Sequence, residues 1–199
     1  MIIELNLPLP SAEIISTAKS LVNTLTVKDK SDIDAIYSPS VSAHNWFFRA
    51  NALDDLVNKQ YSSIFYKHRL FSVIGIMRPD DNAIVSCHPP HIDRDRLLAI
   101  NYYIETGGNV KTVFYDRVGK PAPRTTWVSY NQALIVSEHT LRNDRWYAFD
   151  TSRAHSVEGI VSERFLMSIE LTATGPNYGV QELCNDYPDV LQSVLAMHK

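Results

Sequence analysis

The stretch His91-Ile92-Asp93 decides how this chain is read, because it is answered downstream by Ala154-His155-Ser156-Val157 and by Arg164-Phe165-Leu166-Met167-Ser168-Ile169. In a β-strand the side chains of residues i and i+2 point to the same side. His91 and Asp93 therefore offer an imidazole and a carboxylate to one ion from a single short segment. His155, inside a second β-like run, supplies a third donor. Two histidines and one carboxylate make the face that leaves positions open on ferrous iron for a co-substrate and dioxygen. Arg164, nine positions beyond His155, opens a third apolar run. Its planar fork of donors suits the end of a dicarboxylate.

Between these segments stand an apolar run over residues 97 to 104, the turn Gly107-Gly108, and Thr112-Val113-Phe114. H-x-D alone occurs by chance in many proteins, but the ordered set is specific. Taken together, these residues resemble the Fe(II)- and 2-oxoglutarate-dependent dioxygenase superfamily, in particular its prolyl-4-hydroxylase-like members and the small oxygenases of that type carried by phages. The resemblance spans residues 71 to 172. Prolyl hydroxylases proper usually carry lysine where this chain has Arg164, so 2-oxoglutarate binding is implied and prolyl specificity is not.

The resemblance implies Fe(II) held by His91, Asp93 and His155, with 2-oxoglutarate paired to Arg164 and O2 as the second co-substrate. Such enzymes release succinate and CO2 while hydroxylating a substrate, or demethylating it oxidatively by the same route. The substrate here is unidentified, whether a protein side chain, a small molecule or a nucleobase. Iron and co-substrate carry the hard chemistry, and the protein contributes placement and exclusion of water.

Parity picks out further candidates. If the strand after the motif runs without a bulge, Leu97, Ala99, Asn101 and Tyr103 share the face of Asp93. Asn101 and Tyr103 are then polar candidates for a 2-oxoglutarate carboxylate, and Ser168 shares a strand face with Arg164. Arg96 is placed either to orient Asp93 or to form a rim salt bridge. His88 is out of phase with His91, with Pro89 and Pro90 between them, and reads as a loop residue or a support behind the ligands. His139, in Glu138-His139-Thr140, reads as a surface turn residue, although His91, His139 and His155 form the rival cage. His44, His68 and His198 have no partner pattern and default to solvent or ordinary packing. Trp46-Phe47-Phe48-Arg49 and the loop over residues 118 to 127 are candidate rim elements. Tyr115, Trp127, Trp146 and Tyr147 read first as packing.

At 199 residues, with 45% hydrophobic content, 7 Gly and 10 Pro, the chain suits one domain with a sizeable core. The expected division is helical support over residues 1 to 70, a β core over 71 to 172 and a tail over 173 to 199. A strand near residues 2 to 6 precedes helices over 11 to 24 and 51 to 65, and a last helix is expected over 188 to 197. Short strands are expected over residues 71–77, 83–87, 97–104, 111–116, 125–129, 132–136, 145–149, 154–160 and 164–172. The fold expected is mainly β with flanking helices, a double-stranded β-helix of the jelly-roll, cupin-like kind, with the N-terminal helices packed on one sheet.

A net charge of −3 gives no global reason to bind nucleic acid or an anionic membrane. No basic, apolar leader opens the sequence and no long uninterrupted apolar window occurs, so a cytoplasmic setting is expected, a host's cytoplasm if the chain is phage-encoded. Cys87 and Cys184 are too few and too far apart for a disulfide framework or a zinc knuckle, and Cys87 reads as a small buried residue. Two other classes stay open. A non-catalytic jelly-roll binding module would lose 2-oxoglutarate, against which Arg164 argues. A cupin-type metalloenzyme would more naturally use three histidines, against which Asp93 argues.

Overall fold

The computed structural model describes residues 2–24, 43–79, 87–93, 97–117, 130, 133–172 and 177–194. Eleven strands are ordered among them: β1 Ile2–Leu5, β2 Ala43–Arg49, β3 Leu70–Pro79, β4 Cys87–His91, β5 Leu98–Thr106, β6 Lys111–Arg117, β7 Ala133–Thr140, β8 Arg145–Asp150, β9 Ala154–Glu158, β10 Arg164–Leu171 and β11 Leu191–Val194. The helices are α1 Ala12–Thr24, α2 Asn51–Tyr61 and α3 Val180–Asp186. Antiparallel pairing makes a seven-stranded sheet, β11-β1-β8-β5-β10-β3-β2, and a four-stranded sheet, β4-β9-β6-β7. From β3 onward the chain passes between the sheets: β3, β5, β8 and β10 lie in the large one, β4, β6, β7 and β9 in the small one. This mostly antiparallel arrangement is compatible with a jelly-roll-like fold.

Period-2 alternation explains which side of the large sheet meets which core. Phe165, Met167 and Ile169 of β10 join Ile100, Tyr102, Trp146 and Ala148 in the main apolar cluster, which also holds Ile14, Ala18 and Val22 of α1 and Leu53, Val57 and Tyr61 of α2. The opposite face carries Leu166, Tyr103, Ala99, Tyr147 and Phe149, which cluster with Phe114 of the small sheet. That second face lines the space between the sheets, and Arg164, Ser168 and Asn101 belong to it by register.

Local chemistry sets the helix ends. The Ser11 hydroxyl accepts the Ile14 N–H at 3.3 Å, capping α1 as its sequence suggests. α2 stops at Tyr61, short of Phe65, where Ser62 donates its N–H to Asn58 and Ser63 follows. Phe65 is nonetheless fully buried.

Asp54 ties α2 to the sheet. Its carboxylate accepts the Ser72 N–H at 2.8 Å and two Arg49 N–H groups at 3.0 and 2.7 Å. Asp54→Ala strands a buried backbone donor and unpairs Arg49. A loss of about 2 to 3 kcal/mol is expected, read as a lower urea midpoint with an unchanged slope.

Several expectations need correction. The helix expected over residues 188 to 197 is a 3-10 turn, Pro188–Val190, followed by β11. Strand pairing wins there because β11 extends the large sheet along β1. The tail's helix is instead α3, where Glu182 reaches back to the Gly179 N–H at 2.9 Å and Val180 and Leu183 enter the core. β2 adds an unforeseen edge strand beside β3. β7 runs on to Thr140 instead of turning near residue 136, and β9 ends at Glu158 because Gly159 has φ 74. The strands expected over 83–87 and 125–129 lie outside the described residues, Cys87 excepted. No helix among the described residues is long and apolar enough to cross a membrane.

Candidate metal centre

His91 closes β4 and lies directly opposite His155 of β9. Asp93, two residues on, is held by its N–H to the Thr151 carbonyl at 3.3 Å. Asp93 Oδ1 stands 3.4 Å from His91 Nε2 and 4.0 Å from His155 Nε2. One ligand atom from each of the three residues falls within 4.8 Å of the others. Nitrogen and oxygen donors bind first-row ions at about 2 Å, so this group can hold a single metal ion.

The histidine tautomers are set by the backbone. His91 Nδ1 lies 2.9 Å from the Pro89 carbonyl and His155 Nδ1 lies 2.9 Å from the Arg153 carbonyl. A carbonyl oxygen only accepts, so each Nδ1 carries the proton and each Nε2 keeps its lone pair for a metal. Both rings use the carbonyl two residues behind them.

His88 departs from expectation. A register irregularity at Pro89-Pro90 brings His88 opposite Val157 while His91 stays opposite His155. Both imidazoles therefore face the interior, with ring centroids 4.2 Å apart. Burial pushes the His88 pKa well below its ordinary value, helped by His91 and His155 and opposed by Asp93; Arg164 also lowers it. His88 faces the interior from β4 and is not a loop residue, but it stands behind His91 and outside the metal-ligand trio, as the second of its two expected roles has it.

His139 is also corrected, because it is buried within β7 with Nε2 3.0 Å from the Ser137 hydroxyl. Phe114, on the intervening strand, has its ring centroid 6.0 Å from both His139 and His155. Thus His139 is not in the donor trio, and the three-histidine cage is not assembled.

Arg164 lies deep on the inner face, 3% exposed. Its Nη2 donates to the Tyr103 hydroxyl at 2.9 Å, and its guanidinium carbon sits 4.7 Å from the Tyr103 ring centroid. Nε is buried without a hydrogen-bond partner, and no carboxylate of the described residues pairs with the charge. A buried guanidinium without an anion is costly. Having accepted from Arg164, the Tyr103 hydroxyl keeps its own proton to donate.

Ser168 Oγ and Asn101 Oδ1, buried at directly opposed positions of β10 and β5, also lack partners. So does Thr112 Oγ1, 3% exposed on the inner face opposite Val157 and His139. The sequence marks Thr112 only as part of Thr112-Val113-Phe114, without a role for its side chain, though its parity with Phe114 makes it inward-facing. The close turn at Gly107, φ 84, leaves room for Arg164: an added Cβ would stand 3.1 Å from Arg164 Cβ.

Other candidates resolve as packing. Trp146 is buried and donates Nε1–H to the Pro8 carbonyl at 3.0 Å. Tyr147 is buried, its hydroxyl accepting the Arg142 N–H. Tyr115 hydrogen-bonds Ser156 and Glu158 on the side of the small sheet away from the histidines. Cys87, opposite Glu158, lies on that outer side. His68 packs beside Tyr178 and bonds the Thr172 carbonyl at 2.7 Å. Phe47, opposite Gly75 on the edge strand β2, is not packed away but stays 38% exposed, while Arg49 is committed to Asp54. Arg96, His198 and residues 118–127 lie outside the described residues.

No protein-family profile matches the chain, and no characterised protein matches it in sequence. Solved structures are similar in shape at low identity. A prolyl-4-hydroxylase of Pseudomonas putida is 13% identical with a TM-score of 0.38, covering 80% of this chain and 88% of its own. An oxidoreductase of the 2OG-Fe(II) oxygenase family from Burkholderia pseudomallei is 11% identical with a TM-score of 0.38, covering 78% and 88%. An L-ribose isomerase of Cellulomonas parahominis is 14% identical with a TM-score of 0.39, covering 90% and 93%. These scores are low, and the functional reading rests on the chain's own residues.

Proposed function

We propose that this chain is an Fe(II)- and 2-oxoglutarate-dependent oxygenase on a double-stranded β-helix, hydroxylating or oxidatively demethylating an unidentified substrate. The observation that carries the reading is Arg164: a buried guanidinium without a carboxylate partner among the described residues, on the same interior as His91, Asp93 and His155. A metal trio alone suits many functions. Adding a buried, anion-seeking fork suits a metal-chelating dicarboxylate.

In this reading His91 Nε2, Asp93 and His155 Nε2 hold the iron, and the Pro89 and Arg153 carbonyls keep the two rings in the ligating tautomer. Arg164 pairs with the distal carboxylate of 2-oxoglutarate, and the Tyr103 hydroxyl turns its proton toward the same group. Asn101, Ser168 and Thr112 offer further polar atoms on the inner walls. Leu166, Phe114 and Phe149 keep the interior dry, which strengthens these polar contacts. Iron, 2-oxoglutarate and O2 together supply the oxidation, in which 2-oxoglutarate leaves as succinate and CO2 while a substrate C–H bond gains oxygen.

Anaerobic titration of the Fe(II)-loaded protein with 2-oxoglutarate tests the reading directly. A weak visible charge-transfer band that saturates with co-substrate is expected. Retained metal binding without that band would favour a metal-binding module or a cupin-type enzyme. Stability gives an independent prediction. At about a hundredfold excess over Kd, a ligand specific to the folded state adds about 2.7 kcal/mol. Mn(II) with N-oxalylglycine should therefore raise Tm by about 5 to 10 °C, and an unchanged melt would contradict the proposal.

A further inference from the structure

The interior imidazole of His88 has no part in the reading above. Its position is a product of the chain's local chemistry: Pro89 and Pro90 lack the N–H needed to continue a ladder, and the irregularity they create returns His88 to the inner face three residues before His91. The ring packs against His91 at 4.2 Å between centroids. It stands opposite Val157, two positions along β9 from His155 in the direction of the turn that leads to Arg164. Val157, opposite it, packs in one cluster with Met77, the β3 partner of Arg164, so the ring has His91 beside it and the Arg164 end of the interior beyond it.

We infer that His88 is a positioning and specificity residue for the co-substrate, a polar wall against the middle of a dicarboxylate that spans from the metal ligands to Arg164. This rests on the 2-oxoglutarate reading and deepens it. A dicarboxylate fastened at both ends would run along the inner face of β4 and β9 on which this ring stands. The imidazole sets how long a chain can be held taut there, and its ring nitrogens give that wall hydrogen-bonding capacity that an apolar residue lacks. The ring lies against one metal ligand, but the Pro89 carbonyl holds that ligand's orientation, so removing His88 affects how co-substrate fits beside the ion more than whether the ion binds.

Calorimetry on Mn(II)-loaded protein, which needs no turnover, tests this with 2-oxoglutarate and its one-carbon-longer homologue 2-oxoadipate. His88→Leu keeps the bulk and removes the polar atoms; about a three- to tenfold loss of 2-oxoglutarate affinity is expected, with Mn(II) affinity unchanged and partial recovery in His88→Gln. His88→Ala should raise the affinity for 2-oxoadipate relative to 2-oxoglutarate. Unchanged co-substrate affinity in His88→Leu together with unchanged length preference in His88→Ala would overturn the inference. So would a loss confined to Mn(II) binding, which would make His88 a support for His91. Arg164→Ala, measured in parallel, separates the two proposals. If it binds 2-oxoglutarate normally, the underlying reading has failed; if it loses binding while the His88 variants keep it, only this inference has.

Discussion

Arg164→Ala is expected to weaken 2-oxoglutarate binding by roughly thirty- to a thousandfold while leaving metal binding largely intact. A two-pronged guanidinium–carboxylate pair in a dry interior contributes on the order of 2 to 4 kcal/mol, part of it the cost of leaving the other charge unpaired. Tenfold in affinity corresponds to about 1.4 kcal/mol, which gives the stated range. Arg164 is 3% exposed and bonded to Tyr103, so solvent offers little compensation. Arg164→Lys should recover part of the loss, since a point charge remains where the fork does not. The measurement is 2-oxoglutarate affinity on metal-loaded protein, with uncoupled decarboxylation followed alongside. Unchanged dependence in the Ala variant would remove the main reason for assigning a 2-oxoglutarate oxygenase.

A second large effect is expected at the metal. Replacing residues that merely orient metal ligands commonly costs about 10- to 100-fold in affinity, so removing a ligand outright should exceed that. His155→Ala and Asp93→Ala should each weaken Fe(II) or Mn(II) binding by more than about a hundredfold and abolish turnover. His139→Gln should keep metal affinity, because Phe114 stands between His139 and the trio, while lowering stability by about 1 to 3 kcal/mol through the disturbed buried contact with Ser137. An indispensable His139 with a dispensable Asp93 would sink the assignment.

The grouping of His91, Asp93 and His155 was legible because it needs only period-2 geometry within one strand and a second strand laid beside it. The inward set Ala99, Asn101 and Tyr103 followed from the same counting, and it held because the irregularity in β5 falls beyond them, where Leu166 pairs with Tyr103 but Phe165 pairs with Glu105. The face of His88 was misread for the converse reason, although its place outside the ligand trio was read correctly. Parity counting assumes an unbroken ladder, and Pro89-Pro90 breaks it between the two histidines. His139 was misplaced because polar residues around it resemble a turn, whereas β7 continues through it with Phe114 and Leu141 buried nearby. The C-terminal helix failed differently: residues 188 to 194 carry weak local preferences, and a vacant position beside β1 decides their conformation. Thr112 was quoted as part of a motif but given no role, because a threonine in a strand is ordinary until its hydroxyl is found buried and unpartnered.

The place of β10 has a consequence for how the molecule is made. It lies between β5 and β3 in the large sheet, yet it follows both in the chain by more than fifty positions. Until residues 164 to 171 have emerged from the ribosome, β3 and β5 cannot be joined into one sheet, and each presents a raw strand edge of the kind that invites pairing with other chains. β10 then enters as a wedge, closing two ladders at once and carrying Arg164 into the interior with it. Nascent chains stopped before that strand should be aggregation-prone and dependent on holding chaperones, and release should come abruptly when the wedge seats. Slow, non-local closure of this sort also suits loading of metal after synthesis, since His155 reaches His91 only through pairings between segments far apart in sequence.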